Sequence, residues 1–165
     1  MYWKKLLNWS KTPEAEESLE IKGSKINLRS KKIEDAGADS VAIKDMAGLL
    51  KPNAAFELVS ELKQNISVPI HMQTHATTGF STATNMKAIE AGIDNIDTSI
   101  SSMSMTYGHT ATETIVSMFD DTKIFSAIDK NLFPELSSHF KKIRKKYELY
   151  EGSLKGVDAS MLINQ

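Results

Sequence analysis

The chain has 165 residues, a formal net charge of −1 at pH 7, 41% hydrophobic and 25% charged residues, and no cysteine. That length supports one core rather than two ordinary domains, and the balanced charge gives no electrostatic footprint for nucleic acid. Disulfides, Cys-based zinc sites and a thiolate nucleophile are excluded, and no apolar run approaches the roughly 20 residues of a transmembrane helix, so the expected setting is cytoplasmic.

Residues 1–30 stand apart from the rest of the chain. Met1 to Trp9 can form an amphipathic turn or two in which Trp3, Leu6 and Trp9 cover apolar surface, and Pro13 can open a helix through Leu19. Ile21 to Arg29 has no clear period, and Gly23-Ser24 is expected to break it. From Ser30 the pattern is regular. Lys31 to Ala36 finishes a helix that Gly37 ends in a left-handed cap, and Ser40 to Ile43 is a short apolar strand. Asn53 to Gln64 places Ala54, Ala55, Leu58, Val59 and Leu62 on one helical stripe, and Val68-Pro69-Ile70 opens a second strand. Thr82 to Ala91 repeats the theme, with Ala83, Met86, Ala88 and Ile89 as its apolar positions, before a third strand over Ile93 to Ile100. A loop of small residues and methionines leads into a helix around Thr112 to Phe119. A stronger helix runs from Pro134 to Tyr150, and its basic run from Lys141 to Lys146 reads as a solvated face.

Strand markers Ile43, Ile70 and Asp97 fall at equal steps, each long enough for one strand, one helix and two loops. Serial βα units of this kind are right-handed and parallel, so the carboxyl ends of all three strands lie along one edge, where such sheets place their ligands. Lys44, His75 and Asp97 are therefore expected to be neighbours. Alternation along the second strand puts His71, Gln73 and His75 on one face. From the residues alone, Lys44 reads first as a surface lysine paired with Asp45, and His71 first as a satisfied histidine lining the sheet. Three units do not close an eight-stranded barrel of about 250 residues, so the fold class is α/β, as a small open sheet or a piece of something larger.

Three ordered stretches carry a resemblance: AGADSVAIKDMAGLLK from Ala36 to Lys51, PIHMQTHATTG from Pro69 to Gly79, and IDTSISSMSMTYGHTATE from Ile96 to Glu113. Together they resemble the carboxyltransferase domain of biotin-dependent enzymes, most of all the oxaloacetate decarboxylase α chain, with pyruvate carboxylase and transcarboxylase as related families. The resemblance covers 31–165 and leaves 1–30 as an unmatched N-terminal segment.

It implies a partial TIM barrel: about three parallel βα units matching the last barrel strands, plus C-terminal helices. It also implies a divalent metal such as zinc or manganese, biotin on a separate carrier domain, oxaloacetate or pyruvate as substrate, and other decarboxylase subunits as partners. Lys44 takes the place of the family's carboxylated, metal-bridging lysine, and is the implied catalytic residue. The family's His-x-His metal pair falls on Gln73 and His75, so Gln73 replaces a histidine with a weaker ligand. No Arg-Asp motif of the family's first strand occurs, and no biotin-accepting Met-Lys-Met motif occurs. The resemblance therefore leaves catalysis open. The chain is expected to be a carboxyltransferase fragment inactive alone, or, as the alternative, a non-catalytic remnant or open α/β module that binds a partner subunit.

Overall fold

The computed structural model describes residues 23–104, 108–124, 127–153 and 156–163. The amphipathic turn and the Pro13 helix expected near the N-terminus lie outside these residues. The first helix, α1 (Gly23–Asp35), leads to β1 (Val41–Asp45), α2 (Pro52–Asn65), β2 (Ile70–Thr74), α3 (Ser81–Glu90) and β3 (Asn95–Ile96). Helices α4 (Thr112–Met118), α5 (Phe133–Lys146) and the short α6 (Ser160–Ile163) come after them. The strands form one parallel sheet in the order β1-β2-β3, with Ile43 opposite Met72 and Met72 opposite Ile96. The βα succession is thus as expected, on unequal steps.

One face of the sheet makes the core. Val41 and Ile70 pack with Leu58, Leu62 and Ile66, and Met72 packs with Ala55, Val59 and Ala88. This arises from period: Ala55, Leu58, Val59 and Leu62 recur on one side of α2, while Ile70, Met72 and Thr74 alternate with the half-buried His71 and Gln73 along β2. Helices α2 and α3 therefore cover one face only. The opposite face, carrying Ala42, Lys44, His71 and Gln73, has no helix packed on it among the described residues, which is the layering of a barrel wall.

Three expectations need correction. Gly23 and Ser24 are themselves helical, the first residues of α1 among those described, because tertiary contacts with α2 hold the helix against glycine's low propensity. Ser30 is buried, and the Glu34 carboxylate accepts from the Ser67 and Val68 N–H groups. The inward face of α3 is not the apolar set: Ser81, Thr84 and Asn85 are fully buried with Ala88, while Ala83 is exposed. Hydroxyls permit this, since Thr84 donates to the Leu50 carbonyl at 2.7 Å and Ser81 meets Thr110 Oγ1 at 2.7 Å. Finally, the third strand pairs with β2 over two residues instead of eight. Beyond Asp97, whose N–H reaches the Met72 carbonyl, the chain turns away and Ser99 bridges Ala111 in parallel.

Candidate active site

The carboxyl edge of the sheet is fixed by a carboxylate and a glycine. Asp45 does not pair with Lys44. Its Oδ1 accepts from the Leu49 N–H at 3.0 Å, and its Oδ2 accepts from the Leu50 N–H at 3.1 Å and from Thr74 Oγ1 at 2.9 Å. The carboxylate thus clamps the Met46-Ala47-Gly48 turn to the end of β2. Gly48 has φ +69, and a Cβ there would overlap the His75 carbonyl oxygen. Only glycine fits, because both the left-handed backbone and the close approach exclude a side chain. Thr78 Oγ1 donates to the Gly48 carbonyl, and the His75 N–H donates to the Asp45 carbonyl at 3.1 Å. At the other end of the strand, burial opposes ionisation of Asp94, yet the Ile70 N–H and Lys63 hold its carboxyl below the ordinary value.

With Asp45 committed elsewhere, Lys44 stands on the open face. It is exposed, it sits opposite Gln73 in the β1-β2 register, and no hydrogen bond or ion pair to its ammonium occurs among the described residues. His75 lies one residue past β2 and one alternation beyond Gln73, so Lys44, Gln73 and His75 come together at one end of one face. His71 is on the same face, bonded through Nε2 to Asp97 Oδ1 at 2.7 Å. Asp97 thus completes the His71 contact rather than facing Lys44.

A fourth group was missed by sequence reasoning. His109 stacks edge-on against His75, with ring centroids 4.9 Å apart and an interplanar angle of 81°, and its Nε2 lies 3.5 Å from Gln73 Nε2. It arrives on a segment anchored on both sides: the Ala76 N–H donates to the Gly108 carbonyl at 2.8 Å, and Thr110 is fully buried against Ser81 and Thr82. Nothing in the periodicity points to His109. The available signal was its place in the Gly108-His109-Thr110 run, inside the stretch from Ile96 to Glu113 that carries the family resemblance.

Whether these groups suit a divalent cation can be judged from their donors. Among the described residues, no three His, Asp or Glu side chains converge on a point, so an all-anionic cage is absent there. The edge instead offers imidazoles at His75 and His109, the amide of Gln73, and Lys44. His109 Nδ1 is buried with no hydrogen-bond partner, an orphan that a cation can satisfy. The set fits a nitrogen-rich transition-metal site, provided that Lys44 is converted from a cation to an oxygen donor.

The fold and its strand-end cluster define one wall of an α/β barrel with its functional groups at the carboxyl edge. Residues 9–139 match the HMGL-like family, and the chain belongs to it. A pyruvate carboxylase subunit of Methanocaldococcus jannaschii is 42% identical over 137 residues, and the methylmalonyl-CoA carboxyltransferase 5S subunit of Propionibacterium freudenreichii is 41% identical over 133 residues. The carboxyl transferase domain of Rhizobium etli pyruvate carboxylase, solved with pyruvate and biocytin, superposes with a TM-score of 0.79 at 32% identity over 82% of this chain. These relatives are biotin-dependent carboxylases and carboxyltransferases, and their carboxyltransferase domains are TIM barrels. The chain covers 24% and 26% of the two relatives and 23% of the solved domain, about a quarter of their length.

Proposed function

We propose that this chain carries part of the carboxyltransferase site of an oxaloacetate decarboxylase-type enzyme, moving a carboxyl group between oxaloacetate or pyruvate and biotin on a separate carrier domain. The observation that carries the reading is the meeting of Lys44, Gln73 and His75 on the uncovered face at the carboxyl edge, with Asp45 withdrawn from Lys44. The Met103-Ser104-Met105-Thr106-Tyr107-Gly108-His109 sequence favours the decarboxylase type over the pyruvate carboxylase type.

In decarboxylation the bond between C3 of oxaloacetate and its carboxyl group breaks, and the electron pair stays on the keto acid as an enolate. Biotin N1 gains the carboxyl group and gives up its proton, which ends on C3. A divalent cation at this edge supplies Lewis-acid polarisation of the keto oxygen. Lys44, as a carbamate formed with carbon dioxide, would provide an oxygen ligand and would remove a positive charge that opposes binding. His75 would provide a ring nitrogen, and Gln73, standing where the family has a histidine, leaves one ligand position to fill. Thr78 is not available to move a proton, because its hydroxyl is buried and spent on the Gly48 carbonyl.

The same geometry supports low activity for the 165-residue chain by itself. Differential stabilisation of the transition state needs preorganised groups from several strands in a site of low dielectric, and Lys44 lies exposed on a wall that has three strands among the described residues. Pyruvate formation from oxaloacetate is the test, comparing the chain, the chain with chelator, and Lys44→Ala. We expect the chain and Lys44→Ala to match the free-metal background, and the chain with chelator to fall to the metal-free rate. Transplanting residues 31–146 into the M. jannaschii relative is expected to give transfer that Gln73→His raises and Lys44→Ala abolishes. A chimera indifferent to Lys44→Ala would refute the assignment.

A further inference from the structure

We propose that His109 is the nitrogen ligand that takes over the role left vacant at Gln73, so that the cation site is built on His75, His109 and Lys44, with Gln73 positioning the second imidazole. This rests on the functional reading above and goes beyond it, since His109 lies in a different stretch of chain from the His-x-His position.

Four observations meet on this residue. The first is ring geometry. Two imidazoles that share one cation at metal–nitrogen distances of about 2.0–2.1 Å and near-tetrahedral angles have centroids about 5 Å apart, and His75 and His109 stand 4.9 Å apart. The second is the amide. Gln73 reaches the Nε2 edge of His109 at 3.5 Å, and since the oxygen and nitrogen of an amide are assigned by their partners, the carbonyl end can accept an Nε2–H. A metal-bound histidine typically gives its second ring N–H to such an acceptor, which fixes its tautomer.

The third observation is the orphan. With Nε2–H directed at Gln73, Nδ1 carries the lone pair, and it is this atom that is buried and without a partner. The fourth is rigidity. The Ala76–Gly108 and Ser99–Thr110 backbone bonds and the buried Thr110 hydroxyl hold the segment on both sides of His109, so the ring is placed before any ligand arrives. A histidine that merely filled space would need neither the amide nor the orphaned nitrogen.

The test is a Co2+ titration of the full chain in bicarbonate buffer, read by visible d–d absorption. The wild-type chain is expected to bind Co2+ with a nitrogen-ligated band. His109→Ala should weaken binding at least about tenfold and move the band, and the Gln73→His/His109→Ala pair should recover it by restoring a second imidazole at position 73. Circular dichroism checks that His109→Ala is folded. Proton NMR of the wild-type Co2+ form gives an answer without any variant, with hyperfine-shifted signals expected from two imidazoles. If His75→Ala abolishes the band while His109→Ala leaves affinity and spectrum unchanged, the role of His109 is overturned and the functional reading stands. A wild type with no band beside a Gln73→His variant that has one overturns the role of His109 in the same way. Absence of a band in both overturns the two together.

Discussion

The Met46-Ala47-Gly48 turn makes a quantitative prediction about the site's scaffold. Gly48→Ala forces a side chain into the left-handed region, at a cost of about 1–2 kcal/mol, and drives the new Cβ into the His75 carbonyl. Backbone cannot rotate away as a side-chain tip can, so relief requires the turn to separate from β2, adding about 1–3 kcal/mol. Gly37 isolates the first cost: it has φ +86, yet a Cβ there meets nothing within 4 Å. The reduced freedom of the unfolded chain benefits both alanine variants alike and cancels in the comparison. Urea unfolding is therefore expected to rank wild type above Gly37→Ala, and Gly37→Ala above Gly48→Ala, with the last two separated by about 2 kcal/mol. Equal midpoints for the two variants would show that the turn does not press on His75 and would remove the reason for its rigidity.

The Asp45 clamp predicts that Asp45→Ala costs about 2–3 kcal/mol, as expected for loss of charge-assisted bonds to Leu49, Leu50 and Thr74; a loss under about 0.5 kcal/mol in urea unfolding, the lower end for a single hydrogen bond, would contradict it. Glu34 is lowered from 4.5 to about 2 by Lys31, Ser67 and Val68. Its folded-state value lies below the unfolded one, so its stabilisation is complete above about pH 4.5 and disappears as pH falls towards 2. Stability measured against pH should consequently be flatter through that window in Glu34→Gln than in wild type, and parallel curves would exclude the effect. Asn85 is fully buried with neither amide atom hydrogen-bonded, so Asn85→Leu should leave stability unchanged or raise it by about 1 kcal/mol. A loss above about 1 kcal/mol would mean that the amide is satisfied after all.

The parts of the fold legible in the sequence were those in which period and burial coincide. Helix α2 buries the stripe its spacing marks out, and β2 alternates as its apolar residues suggest. Helix α3 was misread in detail because its buried side chains are hydroxyls and an amide, whose fitness for a core depends on the Leu50 carbonyl and Thr110, neither adjacent in sequence. The third strand was overestimated for a related reason: β-rich residues mark a segment that can extend, whereas the length of pairing is set by where the chain leaves Met72 for Ala111. At the site, Lys44, Gln73 and His75 were placed by alternation and by family resemblance. A pairing of Asp45 with Lys44 was suggested by adjacency, yet neighbours along a strand point to opposite faces. His109 could not be found by period, since a backbone bond from Ala76 to Gly108 is what delivers it.

The site as proposed depends above all on Lys44 becoming an oxygen donor beside His75 at this strand edge. The most direct measurement is 13C NMR of the full chain in 13C-bicarbonate with and without a divalent cation. A carbamate carbon signal that strengthens with the cation, weakens in His75→Ala and is absent from Lys44→Ala is the predicted result. A carbamate signal that persists in Lys44→Ala, or none with the cation present, would contradict that role for Lys44.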